Sequence, residues 1–275
     1  MHTLTAPQTQ YLQLPGGTIA FDDTVEGTGH PVLLLPGMLD SRASYRHLRP
    51  LLVAAGRRVI TMDLRGFGES SIDWDDYSPA AAAHDALALL DHLGVEQAVL
   101  AGNSYTGASI VKAAALAPER VAGLVLIDAF VENVPPTVLG LAMLRLLGAA
   151  LLASPKVWGY YLNKMAYPGG ATEEIAAYNA GLVAALRTPG RKRATRGQVG
   201  GNAAPEGWCE GVEVPTLVLM GSKDPDFPDP ELVADRQVKA LNGRKVMIQG
   251  AGHYPHAQSP QAVADAVLPF LTEVA

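Results

Sequence analysis

Three residues stand where each could serve proton-transfer chemistry on one substrate. Ser104 lies in Gly102-Asn103-Ser104-Tyr105-Thr106-Gly107, after the apolar run Ala98–Ala101 and directly before a helical pattern. A serine on a tight strand-to-helix turn projects its hydroxyl from the end of the strand, and small residues must flank it because the turn crowds the backbone. The amide of Tyr105 opens the helix and points where an oxyanion would form. A hydroxyl is a poor nucleophile until a histidine takes its proton, and the imidazole needs a carboxylate to orient it. Asp224, in Gly221-Ser222-Lys223-Asp224-Pro225, and His253, in Gly250-Ala251-Gly252-His253-Tyr254, each follow a strand-like run. Both therefore sit just past strand ends, on the edge where open α/β sheets bind ligands. Asp128 also ends a strand-like run, Leu124–Ile127, and is the alternative acid to the preferred Asp224.

Something stiff must bring positions 104, 224 and 253 together. Runs rich in Val, Ile and Leu recur at Val32–Leu35, Val59–Met62, Ala98–Ala101, Leu124–Ile127, Leu217–Met220 and Val246–Ile248. Bounded by Gly, Pro or Asp, they read as strands buried on both faces, as in a parallel sheet. Helical patterns alternate with them at Ser41–Ala55, Pro79–Leu93, Tyr105–Ala117, Pro230–Leu241 and Pro260–Val274. Such alternation predicts an α/β fold with helices on both faces of the sheet. Residues 10–25 read as an antiparallel hairpin turning at Pro15-Gly16-Gly17. From about Val131 to Gly211 the alternation stops, leaving helices and loops without a strand. An insertion of about 80 residues is too long for an ordinary connection, and long insertions are often lids. The expected organisation is a core of residues 1–130 and 212–275 interrupted by a helical cap of residues 131–211.

Composition narrows the function classes. The chain has 275 residues, of which 48% are hydrophobic and 17% charged, which excludes a disordered charged tail. A formal net charge of −6 argues against a nucleic-acid or membrane-surface binder, which would show a concentrated basic face. The single Cys209 excludes an intramolecular disulfide framework and a multi-thiolate zinc site. The first residues, MHTLTAPQTQ, lack a basic stretch followed by an apolar core, which predicts no secretory signal and a cytoplasmic protein. Val138–Ala153 is the longest apolar run; it carries Arg145 and is shorter than the roughly 20 residues of a membrane span. A buried or pocket-covering helix is the better reading.

Five motifs occur in order: Leu35-Pro36-Gly37-Met38, Asp63-Leu64-Arg65-Gly66-Phe67-Gly68-Glu69-Ser70, the Ser104 turn, Gly221 to Asp224, and Gly250 to His253. Together they make the chain resemble the α/β-hydrolase family from about residue 10 to its end. The resemblance implies a mostly parallel sheet of about eight strands with a helical cap. It implies Ser104 as nucleophile, His253 as general base and then acid, and Asp224 as its orienter. The amides of Met38 and Tyr105 would form the oxyanion hole, each donor worth about 3 kcal/mol of barrier. Two positions depart from the family pattern: Pro36 stands where a histidine is frequent, and Thr106 where a glycine is commoner. The serine at position 104 sets the chain apart from epoxide hydrolases and haloalkane dehalogenases, which use an aspartate there.

The expected activity is a cofactor-independent serine hydrolase acting on a carboxylic ester, thioester or lactone of a small, largely apolar molecule. Two alternatives stay open: the same residues cleaving or closing other bonds (C–C hydrolysis, lyase or cyclase chemistry), and a ligand-binding receptor on a hydrolase scaffold. No metal or cofactor motif appears. The expected partner is a small-molecule substrate, with no nucleic acid or membrane, for a monomer or homodimer. Leu39, Met143, Leu147, Trp158, Tyr161 and Tyr254 are the candidate substrate-binding residues, and Tyr160 and Tyr167 add to the aromatic character of the cap. Asp63 and Arg65 read as a structural loop clasp, His256 as a surface or rim residue, and Asp226 and Asp229 as part of an acidic turn. The basic cluster Arg187, Arg191, Lys192, Arg193 and Arg196 reads as a solvated loop, or as an attractor of anionic substrate.

Overall fold

The computed structural model describes residues 8–131, 146, 148–200 and 207–275. Eight strands form one sheet: β1 Gln10–Leu14, β2 Gly17–Asp23, β3 Val32–Leu35, β4 Val59–Met62, β5 Ala98–Asn103, β6 Val121–Ile127, β7 Thr216–Gly221 and β8 Arg244–Ile248. Their spatial order is β1-β2-β4-β3-β5-β6-β7-β8. The hairpin β1–β2 is antiparallel, as is β2 against β4; every other pair is parallel. The chain thus steps outward from β3 to β4, then returns past β3 to lay down β5 to β8. That reversal puts the C-terminal ends of β3 and β5 side by side, the place where such sheets open a ligand crevice.

Period-two alternation assigns side chains to the two faces. Leu33, Leu35 and Leu100 point to one face with α2 (Pro79–His92), α3 (Thr106–Leu116) and, further along the chain, the helix Pro230–Leu241. Val32, Leu34 and Val99 point to the other, against α1 (Leu48–Ala54) and the C-terminal helix Pro260–Glu273. Each aliphatic side chain so buried contributes roughly 1.5–3 kcal/mol, which is why strands with no exposed face still hold the sheet together. Helix starts follow local chemistry. The Ser78 side chain accepts from the Ala81 N–H with Pro79 in the first turn, and Asp229 caps Pro230–Leu241 in the same way.

Between β6 and β7 the described residues are helical or looped. Residues 148–153 are helical, followed by α4 (Lys156–Lys164), α5 (Glu173–Ala185) and α6 (Arg191–Gly200). The two helices already placed on the sheet after this insertion are α7 (Pro230–Leu241) and α9 (Pro260–Glu273), with the short α8 (Pro255–Gln258) between them. No described helix is long and apolar enough to cross a membrane.

One expected helix breaks in two. Ser41–Ala55 is a 3-10 turn, Arg42–Tyr45, followed by α1 starting at Leu48. Pro50 supplies the reason: inside a continuous helix its ring would clash with the carbonyl of Arg46, so the helix restarts within a turn of it. Of the basic cluster, Arg187 lies exposed in a turn, but the other members are not in a loop. Arg191 to Arg196 lie on α6, and Arg191 is buried, its Nη2 donating to the Gly68 carbonyl at 2.6 Å.

Candidate active site

Ser104 follows β5 with φ 55°, a left-handed conformation unusual for a residue with a side chain. Several contacts impose it. The Ser104 N–H donates to the Ile127 carbonyl at 2.9 Å, continuing the pairing with β6, while its carbonyl accepts from the Gly107 and Phe130 amides. A Cβ on Gly102 would lie 2.6 Å from the Thr106 carbonyl oxygen, so only glycine lets β5 turn into α3 this tightly. Asn103 Nδ2 donates to the carbonyls of Ile127 and His253, tying the turn to the loop that follows β8.

The hydroxyl of Ser104 lies 2.9 Å from His253 Nε2, and His253 Nδ1 lies 2.7 Å from Asp224 Oδ2. All three side chains are buried. The loop that carries His253 is pinned from the insertion: its N–H donates to the Ala166 carbonyl at 2.9 Å. Gly252 passes so close to that carbonyl that a Cβ would stand 2.2 Å from it. Burial pulls the His253 imidazole down, but the charges of Asp226 and Asp224 and the Asp224 hydrogen bond outweigh it and hold the group above its ordinary value. Burial pushes Asp224 up, yet the charge and hydrogen bond of His253 hold it below the ordinary carboxylate.

Asp128, the alternative acid, takes a different place. It is fully buried, and its Oδ1 accepts the Gly221 N–H at 2.8 Å. Burial first, then the neighbouring Asp224 charge, raise it well above an ordinary carboxylate. Asp128, Asp224 and His253 bring ligand atoms within 4.8 Å of one another. Both nitrogens of that histidine are already engaged by Asp224 and Ser104, an arrangement suited to moving a proton rather than ligating a cation.

The loop after β3 and the turn at Ser104 approach each other, a Cβ on Gly37 lying 3.4 Å from the Ser104 Cβ, and among the described residues neither the Met38 nor the Tyr105 N–H has a backbone acceptor. Thr106 joins those loops, its hydroxyl 2.9 Å from the Leu35 carbonyl and 3.0 Å from that of Asn103. Leu39 is buried in the core with φ 60°. Tyr254 is buried too, stacked on Tyr167 with ring centroids 5.6 Å apart. Trp158 and Tyr161 stack at 5.0 Å on α4, and the Tyr161 hydroxyl donates to Asp226 Oδ2 at 2.8 Å. Met143 and Leu147 lie outside the described residues. Tyr160 is 65% exposed.

Three residues near the serine escape sequence reasoning. Phe130 and Phe227 bracket His253, with ring centroids 6.0 and 6.4 Å from the imidazole. Phe130 lies two residues past Asp128 at the same sheet edge, a signal that could have found it. Asp226, expected in a structural acidic turn, places Oδ2 only 3.4 Å from His253 Nε2. His256, expected at the surface, is wholly buried with Nε2 2.9 Å from Ser44 Oγ, and burial drives its pKa down to about 3. The Asp63 and Arg65 clasp is present. Asp63 accepts from the Arg42 and Glu69 amides, and Arg65 forms a bidentate pair with Asp85, 2.7 Å at each contact.

The family model for the alpha/beta hydrolase family matches residues 32–266. The chain belongs to the alpha/beta hydrolase family. Epoxide hydrolase A of Mycobacterium tuberculosis is 26% identical over 89% of this chain and 91% of its own length. The bifunctional epoxide hydrolase 2 of Sus scrofa is 37% identical, but over 34% of this chain and only 18% of the relative. A thermophilic esterase from Thermogutta terrifontis superposes with a TM-score of 0.79, 27% identity, and coverage of 97% of this chain and 99% of the esterase. Esterases and epoxide hydrolases are thus both among the relatives, and the residue at position 104 bears on which chemistry fits.

Proposed function

We propose that the protein is a serine hydrolase cleaving a carboxylic ester, thioester or lactone of a small, largely apolar molecule through an acyl-enzyme on Ser104. The row Asp224 Oδ2, His253, Ser104 Oγ, at 2.7 and 2.9 Å, carries this reading. A serine ester is hydrolysed by water at its carbonyl, whereas epoxide opening needs a carboxylate at that position to form the alkyl ester. In the reading, Ser104 Oγ attacks the carbonyl carbon as His253 Nε2 takes the hydroxyl proton. The tetrahedral oxyanion would be held by the N–H groups of Met38 and Tyr105. His253 then gives its proton to the leaving oxygen or sulfur, and the acyl group stays on Ser104. Water, deprotonated by the same nitrogen, releases the acid. Asp224 keeps Nδ1 protonated throughout, so Nε2 presents its lone pair.

Phe130, Phe227, Trp158 and Tyr161 support an apolar substrate, and residues 131–211 would act as the cap over a core of residues 1–130 and 212–275. The test is intact mass after a small fluorophosphonate, with turnover on an ester, thioester and lactone panel, for wild type and Ser104→Ala. One adduct on wild type alone, with turnover falling on the order of 10⁶ in the variant, is expected. Activity that survives Ser104→Ala nearly intact would overturn the assignment. Ligand-dependent thermal stabilisation without adduct or turnover would favour a receptor.

A further inference from the structure

The segment Met38–Ser41 is held from the insertion rather than from the sheet. Gln198 on α6 is buried, and its Oε1 accepts the Leu39 N–H at 3.0 Å across 159 residues of sequence. From α5, the Tyr178 hydroxyl donates to Asp40 and lies 3.1 Å from Ser41 Oγ. Gln198 belongs to one face of α6, with Arg191, Ala194 and Thr195, all buried. These positions recur at three- and four-residue spacing, so a single helix face docks on the core. Ala194 abuts Gly66, where an added Cβ would stand 2.4 Å from it. Leu39 adopts φ 60°, a conformation that an aliphatic residue holds only when its surroundings impose it. The Gln198 side-chain carbonyl holds the Leu39 amide in that conformation, while among the described residues the preceding Met38 N–H has no backbone acceptor.

We propose that Gln198 is a positioning residue: by binding the Leu39 N–H it fixes the loop whose Met38 N–H receives the substrate oxyanion. The inference rests on the serine-hydrolase reading above. It makes the oxyanion loop a joint product of core and insertion, so the site is complete only when α6 is seated. Misplacing a catalytic donor by about 1 Å can cost on the order of 100-fold in rate. Gln198→Met keeps the volume of the side chain and removes the acceptor, whereas Gln198→Glu restores an acceptor oxygen.

With p-nitrophenyl butyrate, Gln198→Met should lower kcat by about 10–100-fold and leave KM within about threefold. Affinity for phenylboronic acid, whose tetrahedral adduct uses the oxyanion site, should fall in step with kcat, and Gln198→Glu should recover part of both. Hydrogen exchange at the Leu39 amide should accelerate at least about tenfold while exchange along β3 stays unchanged. A Gln198→Met protein with kcat within about twofold of wild type, or with unaltered Leu39 exchange, overturns the proposal. A wild type that takes no fluorophosphonate and turns over no ester would instead overturn the hydrolase reading, and the exchange measurement would still decide whether Gln198 holds the loop.

Discussion

Replacing Thr106 by valine tests whether the turn at Ser104 and the loop after β3, the proposed nucleophile turn and oxyanion loop, are joined through one hydroxyl. Thr106 is fully buried, and its Oγ1 sits 2.9 Å from the Leu35 carbonyl and 3.0 Å from the Asn103 carbonyl. The Leu35 oxygen keeps a second donor, the Tyr45 hydroxyl at 2.7 Å, whereas the Asn103 oxygen accepts from the Thr106 hydroxyl and, among the described residues, from no loop or turn N–H. Valine preserves the shape, loses one hydrogen bond of about 1 kcal/mol and leaves a buried carbonyl unpaired at about 1–2 kcal/mol more. The total is about 2–3 kcal/mol. At about 2.1 cal/mol/K per residue, unfolding entropy for a chain this long is near 0.6 kcal/mol/K, so the loss lowers Tm by roughly 3–5 °C. Thr106→Ser keeps the hydroxyl and removes one methyl, for about 1 kcal/mol. Calorimetry gives the Tm series, and the rate of fluorophosphonate labelling gives the state of the nucleophile. The order wild type, serine, valine is expected in both. A valine variant melting within about 1 °C of wild type, or labelling faster than the serine variant, would refute the reasoning.

Two further outcomes follow from buried charges. In the proposed mechanism His253 must be neutral to accept the serine proton, so activity should rise as pH climbs through its pKa, which the Asp226 and Asp224 charges hold above the ordinary value against burial. Asp226→Asn removes the stronger of those raising charges, and the acid limb of the kcat/KM–pH profile should move to lower pH; a limb that stays or moves up contradicts this. Burial raises Asp40 from 3.8 to about 6, so the native state holds its proton more tightly than the unfolded chain does. Its contribution is therefore present below pH 4 and lost as pH rises to about 6, about 3 kcal/mol in all. Urea titrations at pH 4 and pH 8 should show Asp40→Asn gaining on wild type at pH 8 only, its amide still accepting from Tyr178 and the Ser41 N–H.

The elements that depend on local pattern are legible in the sequence, and those that depend on distant partners are not. Buried runs such as Val32–Leu35 announce a parallel sheet because both faces are apolar, and Ser104, Asp224 and His253 each announce themselves by following a strand. The order β4-β3-β5 carries no local signature, since it is chosen by packing after the strands exist. His256 looks like a rim residue because its partners, Ser44 and Tyr45, come more than two hundred positions earlier. Gln198 is invisible for a related reason: the charged residues around it draw attention to the solvent side of α6, while the docking face is set by residues 191, 194, 195 and 198. Pro50 was in plain view, and its steric effect accounts for the broken helix without any distant partner.

Gln198 reaching Leu39, the Ala166 carbonyl reaching the His253 N–H and Tyr161 reaching Asp226 have a consequence for how this chain can be recombined. The insertion enters and leaves at loops, which makes it look like a module that could be exchanged for that of a relative. A chimera keeping the core and importing foreign residues 131–211 would take a partner from three separate loops of the site at once. Each orphaned group costs on the order of 1–3 kcal/mol, and the losses fall on geometry rather than on the sheet. Such a chimera should fold and yet be a poor catalyst unless it inherits equivalents of positions 161, 166 and 198. Lys192 and Arg196, exposed on the same helix as Gln198, make none of these three contacts, and Arg193 pairs with Asp75 away from the site.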